Sequence, residues 1–208
     1  RLAEVDHMID AGLARLKALR HPDGGFGWWE RDTSDPYMTA YVVHGLSRVL
    51  ALRDDAAAKE LQRGAATWLA TWRQQGLKSP RPLTPTDAFV VMALADAKAL
   101  APADLPPAVA DGTISVPTLA RAFLLRAAAA LGKADDVNVH LAALVARATT
   151  DAAGARFLPA PGDAPGRWET DPIETTAWAM GGILAIDPKH PLLEGGVRWL
   201  LAQRQLVP

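Results

Sequence analysis

Three glycines in four positions interrupt the first third of the chain, in the stretch Asp23-Gly24-Gly25-Phe26-Gly27-Trp28-Trp29. Glycine gives up more backbone freedom than any other residue when it enters a helix, so this stretch predicts a tight turn. An apolar segment follows, and it begins with Asp35-Pro36. An acceptor side chain at the N-cap and a proline at the first helical position both favour a helix start. The sequence therefore predicts a helical hairpin with an aromatic turn.

A related arrangement returns near the other end of the chain. Asp171-Pro172 precedes Thr175-Thr176-Ala177-Trp178, and Gly182-Ile183 follows at the spacing that separates Thr39-Ala40-Tyr41 from Gly45-Leu46. Repeats of this kind indicate one pair of helices that is stacked several times. Gly45 is expected to let a neighbouring helix approach closely.

The composition favours one helical domain over residues 1–208. Apolar residues make up 50% of the chain, and strand-forming residues are not arranged in alternation. The formal charge is −1 and the basic residues are scattered, so nucleic acid is not an expected partner. The absence of cysteine excludes disulfides, thiolate metal sites and cysteine nucleophiles within the chain. Arginines interrupt the longest apolar stretch, so we expect no membrane insertion of this segment.

Helical periodicity predicts an all-α fold. The apolar spacing indicates eight helices, over residues 1–20, 36–53, 56–75, 86–101, 116–131, 136–150, 172–186 and 192–205. Gly132 is expected to end the fifth helix. So many antiparallel hairpins match an α/α toroid better than a four-helix bundle. We expect an incomplete toroid, because the chain starts in mid-helix at Arg1 and stops just after a helix at Pro208.

Acidic side chains precede both repeated helices. They are Glu30, Asp32, Asp35, Glu169, Asp171 and Glu174. Such acids could be the paired carboxylates of a glycosidase or could cap the helices, and the capping-box spacing of Asp171 and Glu174 favours caps. The histidines are dispersed, and only Asp136 and His140 share a helical face at metal-ligand spacing. We interpret that pair as a surface contact and predict no catalytic residue, metal or cofactor.

Tryptophan is unusually common, with seven in the chain. Trp68, Trp72, Trp178 and Trp199 lie on predicted helices and are expected in the core. The other three lie in loops beside acids, where a ring could plug a hairpin junction or line a ligand groove. The candidate surface groove therefore consists of Trp28, Trp29, Glu30, Asp32, Trp168 and Glu169.

Both ends of the chain resemble a known family. The stretch from Leu13 to Leu50, with the glycine-rich turn followed by Tyr37-Met38-Thr39-Ala40-Tyr41-Val42, resembles the helical thioester domain of bacterial alpha-2-macroglobulin-like proteins. Ile173-Glu174-Thr175-Thr176-Ala177-Trp178-Ala179-Met180 and Val197-Arg198-Trp199-Leu200-Leu201 are similar to later helices of that domain. The resemblance covers nearly the whole chain, but residues 100–165 are generic.

The resemblance implies an α/α toroid of the kind shared with terpenoid cyclases and protein prenyltransferases. It implies a fragment of a longer protein that is periplasmic or extracellular. Such proteins trap proteases, because cleavage of a bait segment exposes a thioester that acylates the attacking protease. The implied partners are target proteases and the other domains of the parent chain. The implied role is that of an inhibitor domain and not of an enzyme.

The chain departs from the family at the reactive group. The thioester forms from a Cys-x-Glu-Gln motif that would lie upstream of Arg1, and this chain has no cysteine. Residues 77–83 lack the histidine that some relatives place nearby. The parent therefore has a thioester before this fragment or belongs to the subgroup without one. Two other classes stay open: a carbohydrate- or terpenoid-active enzyme on an α/α toroid, and a protein-binding α/α repeat.

Overall fold

The computed structural model describes residues 2–79, 81–110, 116–151, 154–157 and 171–203. These ranges contain eight α-helices, which confirms the all-α fold. The helices are α1 (Leu2–Leu19), α2 (Pro36–Leu52), α3 (Ala56–Gly76), α4 (Pro85–Asp96), α5 (Thr118–Ala130), α6 (Ala134–Arg147), α7 (Pro172–Ile186) and α8 (Leu192–Gln203). A short 3₁₀ turn spans Pro102–Asp104.

Two helices end earlier than predicted. Helix α4 stops at Asp96 instead of near residue 101, and Lys98 just beyond it has a positive φ of 57°. Helix α6 stops at Arg147 instead of residue 150, because the backbone of Ala148 is extended. An antiparallel pair of short strands follows, β1 (Ala148–Asp151) and β2 (Gly154–Phe157), in place of the last predicted helical turn and the first part of the predicted loop. β-Branched Thr149 and Thr150 suit a strand better than a last helical turn.

Acidic side chains start several helices, as the sequence predicts. Asp35 accepts a hydrogen bond from the Met38 N–H at 2.9 Å, and Asp55 accepts one from the Ala58 N–H at 2.9 Å. Asp171 accepts from the first-turn N–H groups of Ile173 and Glu174. Each carboxylate satisfies backbone donors that have no partner within the helix. Gly132 ends α5 with a φ of +68°, as predicted.

Contacts between elements divide the chain into two compact units. The first comprises residues 1–81 and 92–101, and the second comprises residues 82–91 and 102–208. Helix α4 thus contributes its first half to the second unit and its second half to the first unit. That the whole chain forms one domain stays a prediction.

The core of the first unit lies among α1, α2 and α3. Its buried residues are Leu13, Leu46, Ala58 and Leu61, and partly buried side chains of α1 and α2 pack around them. Helix α3 buries five side chains along one face, which is the amphipathic pattern of a helix that packs on one side only.

The core of the second unit is centred on α5. Ten residues of this helix are buried, so it is covered on nearly all sides. Phe123 stacks on Phe89 of α4 with ring centroids 4.8 Å apart, and Trp178 of α7 meets both rings. Gly182 of α7 lies so close to Leu125 of α5 that an added Cβ would stand 3.3 Å from it.

The two repeated glycines differ in their surroundings. Gly182 lies at a close helix contact, which is what the sequence predicts for Gly45. That prediction is wrong for Gly45, because a Cβ added there would meet nothing within 4 Å. The predicted core tryptophans also differ: Trp199 is 3% exposed, whereas Trp68, Trp72 and Trp178 are only partly buried.

Candidate functional site

The turn between α1 and α2, residues 20–35, is held by a network of side-chain hydrogen bonds, and we call it the glycine–aromatic loop. The carboxylate of Asp23 accepts hydrogen bonds from the Ser34 hydroxyl (2.7 Å), the Trp68 indole N–H (2.9 Å) and the Gly25 N–H (3.0 Å). Partial burial opposes ionisation, but these hydrogen bonds and nearby His21 lower the pKa of Asp23 below its usual value. Asp23 therefore anchors the loop to α3.

His21 belongs to the loop and is almost fully buried. Its Nδ1 is 3.0 Å from Ser34 Oγ, and its Nε2 is 3.6 Å from Asp32 Oδ1. Serine, histidine and aspartate are the groups of a nucleophilic triad, and the geometry decides whether they act as one. Here the Ser34 hydroxyl donates its hydrogen bond to Asp23, so the His21 ring is not placed to remove that proton. These contacts hold the loop together and do not activate a nucleophile.

Two glycines let the loop fold this tightly. A Cβ on Gly25 would lie 2.5 Å from Ser34 Oγ, and a Cβ on Gly27 would overlap the carboxylate of Asp32. That carboxylate accepts hydrogen bonds from the N–H groups of Trp28 (2.8 Å) and Trp29 (3.1 Å). The glycines therefore make room for the side chains that fix the backbone of the two tryptophans.

The ring that plugs the hairpin junction is Phe26, which is 3% exposed. Its N–H donates to Thr39 Oγ1 at 2.9 Å, and the same hydroxyl donates to the Phe26 carbonyl at 3.1 Å. The plug interpretation is wrong for Trp28 and Trp29, which are 59% and 78% exposed. Large exposed aromatic rings on a braced loop are typical of contact surfaces.

Trp28 belongs to a row of aromatic rings that continues along α2. The rings of Trp28 and Tyr37 are parallel to within 9°, with centroids 6.2 Å apart, and Tyr41 follows at 6.4 Å from Tyr37. Tyr41 is 55% exposed. Tyr37 and Tyr41 were not predicted as site residues. Their i, i+4 spacing on a helix was the signal that could have indicated this aromatic row.

The acids of the proposed groove have unequal roles. The Asp32 carboxylate accepts a hydrogen bond from the loop backbone, whereas Glu30 is exposed beside the tryptophans. Asp35 and Asp171 are helix caps, which confirms the capping interpretation for these two residues. Trp168 and Glu169 lie outside the described residues, so their place in the groove stays a prediction.

The second unit buries two charged or titratable side chains, Arg121 and His140. Arg121 is fully buried and donates to the Val109 carbonyl at 2.9 Å. His140 is 1% exposed, and neither ring nitrogen has a hydrogen-bond partner among the residues that the structure describes, so the surface interpretation of Asp136 and His140 is wrong. Burial, with a smaller effect of Arg121, lowers the pKa of His140 to about 4 although Asp136 acts in the opposite direction. The ring is therefore neutral at pH 7.

The described ranges contain neither a metal cluster nor a membrane span. No group of three or more histidine, aspartate or glutamate side chains there could hold a metal ion. None of the described helices is both long and apolar enough to cross a bilayer.

Comparison with known proteins shows a partial similarity. No protein-family model matches the chain. A segment of 60 residues is 40% identical to an alpha-2-macroglobulin of Thermotoga maritima. The match covers 29% of this chain and 4% of that protein, so the chain corresponds to a small part of its relative. Part of the chain is thus similar to a bacterial alpha-2-macroglobulin, in agreement with the resemblance of its motifs.

Proposed function

We propose that the chain is a helical thioester-type domain of an alpha-2-macroglobulin-like inhibitor that traps proteases. The observation that carries the proposal is the 40% identity over 60 residues to a bacterial alpha-2-macroglobulin. The helical hairpins and the braced glycine–aromatic loop support it, because they agree with the architecture that the motifs imply. In this proposal the chain is part of a longer protein outside the cytoplasm, and its helices form an α/α toroid.

The chain would act as a scaffold and not as the reactive group. It has no cysteine, so a thioester would come from a Cys-x-Glu-Gln segment preceding residue 1 in the parent protein. The potential nucleophile Ser34 donates to Asp23, and the caps Asp35 and Asp171 are engaged with backbone N–H groups. This arrangement gives more support to an inhibitor domain than to a carbohydrate- or terpenoid-active enzyme.

The test uses the complete parent protein and a protease of broad specificity. After incubation, we expect the protease to lose activity on a large protein substrate but to keep activity on a small chromogenic peptide, because a caged protease admits only small molecules. A parent with a thioester should also give a covalent adduct on a denaturing gel, and pretreatment with methylamine should abolish it. Equal loss of activity on both substrates, or no loss on either, would contradict the proposal.

A further inference from the structure

An apolar groove is lined by side chains of α1 and α2. Its floor consists of Ile9, Leu13, Leu16, Val42, Leu46 and Val49, and its volume is about 290 Å³. Gly12 of α1 and Gly45 of α2 line its two sides, and Tyr41 lies at one end. We call this feature the α1–α2 groove. It goes beyond the proposed function, since protease trapping does not require it.

The two glycines keep the α1–α2 groove open. A Cβ added to either glycine would meet nothing within 4 Å. Glycine in a helix interior is unfavourable by up to about 1 kcal/mol relative to alanine, so two open glycines that line one groove suggest a role in contact. A side chain at either position would occupy part of the groove.

The apolar lining of the α1–α2 groove favours a helix over an extended peptide as its occupant. Apart from the Tyr41 hydroxyl, its side chains offer no polar group. An extended peptide would bury backbone N–H and C=O groups there without partners, whereas a helix pairs its own. Ile9 and Leu16 are seven residues apart, which is about 10 Å along a helix, so the floor accommodates two helical turns. The groove therefore fits one face of an amphipathic helix.

Two arginines at the edges of the α1–α2 groove favour an occupant with acidic side chains. Arg15 and Arg48 each lie three residues beyond a groove glycine, on the same helical face, and both residues are exposed. Neither has an ion-pair partner among the described residues. The acid nearest in sequence, Asp10, points to the other side of α1, where it pairs with Arg53. The two rims thus present unpaired positive charge on both sides of an apolar floor.

We propose that the α1–α2 groove binds an amphipathic helix of a partner protein, with apolar residues on the buried face and acidic residues on both flanks. The aromatic row of Trp28, Tyr37 and Tyr41 leads away from one end of the groove and extends the same surface. Aromatic side chains are enriched in protein interfaces and contribute much of their binding energy.

The test measures binding of two stapled helical peptides to the full 208-residue chain by fluorescence anisotropy. Both peptides have leucines at i, i+4, i+7 and i+11, and their flanks carry either glutamate or lysine. The glutamate peptide should bind roughly tenfold more tightly, because two rim pairs change from attraction to repulsion. Equal affinities, or no binding of either peptide, would overturn the proposal.

Substitutions in the groove show where the peptide binds. Gly45→Leu should abolish binding while the chain stays folded, since its side chain enters open space. The double variant Arg15→Glu and Arg48→Glu should reverse the preference and favour the lysine peptide. Arg63→Glu, an exposed arginine of α3, is the matched control and should leave both affinities unchanged.

Self-association is the competing occupant. Analytical ultracentrifugation should show a monomer at the peptide-binding concentrations. A concentration-dependent dimer that Gly45→Leu abolishes would assign the groove to a second copy of the chain and overturn the partner-helix proposal. None of these measurements uses a protease, so their failure and that of protease trapping can be distinguished.

Discussion

At the residue scale, glycines of the same helical hairpin have opposite roles. Gly27 leaves space for the Asp32 carboxylate, and Gly45 leaves space that nothing in the described chain fills. We expect Gly27→Ala to destabilise the chain by about 1–3 kcal/mol, because the carboxylate must move away from the N–H groups that it accepts from. Gly45→Ala should stabilise it by about 0.5–1 kcal/mol through helix propensity.

Urea unfolding followed by circular dichroism measures both changes in the free energy of unfolding. The two variants add the same methyl group and so control for each other. If Gly27→Ala proved as stable as the wild type, the contact between the loop backbone and Asp32 would not be important for stability.

His140 gives a prediction on acid stability. The unfolded ring binds a proton below its ordinary pKa of 6.5, whereas the folded ring does so only near pH 4, so the unfolded state holds more protons between these values. The contribution of the neutral, buried His140 ring to the stability of the fold is therefore complete above pH 6.5 and is lost as the pH falls towards 4. Loss of this contribution should lower the free energy of unfolding at pH 4 by up to about 3 kcal/mol relative to neutral pH.

The measurement is the slope of unfolding free energy against pH between 4 and 6.5. His140→Phe should flatten this slope, since it removes the titrating group and keeps a ring in the buried space. His7→Gln, at an exposed position of α1, should leave the slope as in the wild type. Equal slopes for wild type and His140→Phe would show that another group causes any acid sensitivity.

At the element scale, Arg53 joins the end of α2 to both neighbouring helices. Its guanidinium contacts Asp6 and Asp10 of α1 and the N-cap Asp55 of α3. We expect Arg53→Met to increase amide hydrogen exchange in α1, because Asp6 and Asp10 of α1 lose their ion pairs with Arg53. The effect should shrink at high salt, which screens the wild-type ion pairs as well.

Lys59→Met is the control for the Arg53 prediction. Lys59 pairs with the exposed Asp54 and makes no ion pair with α1, so its loss should leave exchange in α1 unchanged. Faster exchange throughout the chain would instead indicate global destabilisation.

Sequence patterns predicted the presence of the described helices better than the residues at which some of them end. Long apolar periodicity identified all eight, and Asp35 and Asp171 identified two of their starts. The ends at Asp96 and Arg147 depend on single backbone conformations, which periodicity does not report. The sequence also did not indicate that Trp28 is exposed and Phe26 is buried, because the pattern of a loop does not report whether an aromatic ring faces solvent or the core.

At the scale of the whole molecule, the motifs and the 60-residue match both make stretches of the chain similar to bacterial alpha-2-macroglobulins. Both rest on local stretches, and local stretches specify hairpins better than the closure of a ring. The toroid therefore stays a prediction. The α1–α2 groove was not foreseen for a related reason, since it depends on two glycines that are 33 residues apart, Gly12 and Gly45.

The position of α4 predicts how the chain unfolds. Phe89 of α4 lies in the core of the second unit, and Met92, which is fully buried, belongs to the first. Helix α4 is continuous from one unit to the other, so its unfolding exposes buried side chains that belong to each of them. We expect one cooperative thermal transition, with equal calorimetric and van't Hoff enthalpies.

Proline substitutions test this coupling. Ala93→Pro in the interior of α4 should cost about 3 kcal/mol or more and lower the Tm of the whole transition, because proline removes a backbone hydrogen bond and clashes with the preceding turn. Ala56→Pro is the matched control, since it follows the N-cap Asp55 at a position where proline has no hydrogen bond to lose. Two separate transitions, with Ala93→Pro shifting only one of them, would show that the two units unfold independently and that residues 1–208 are not one domain.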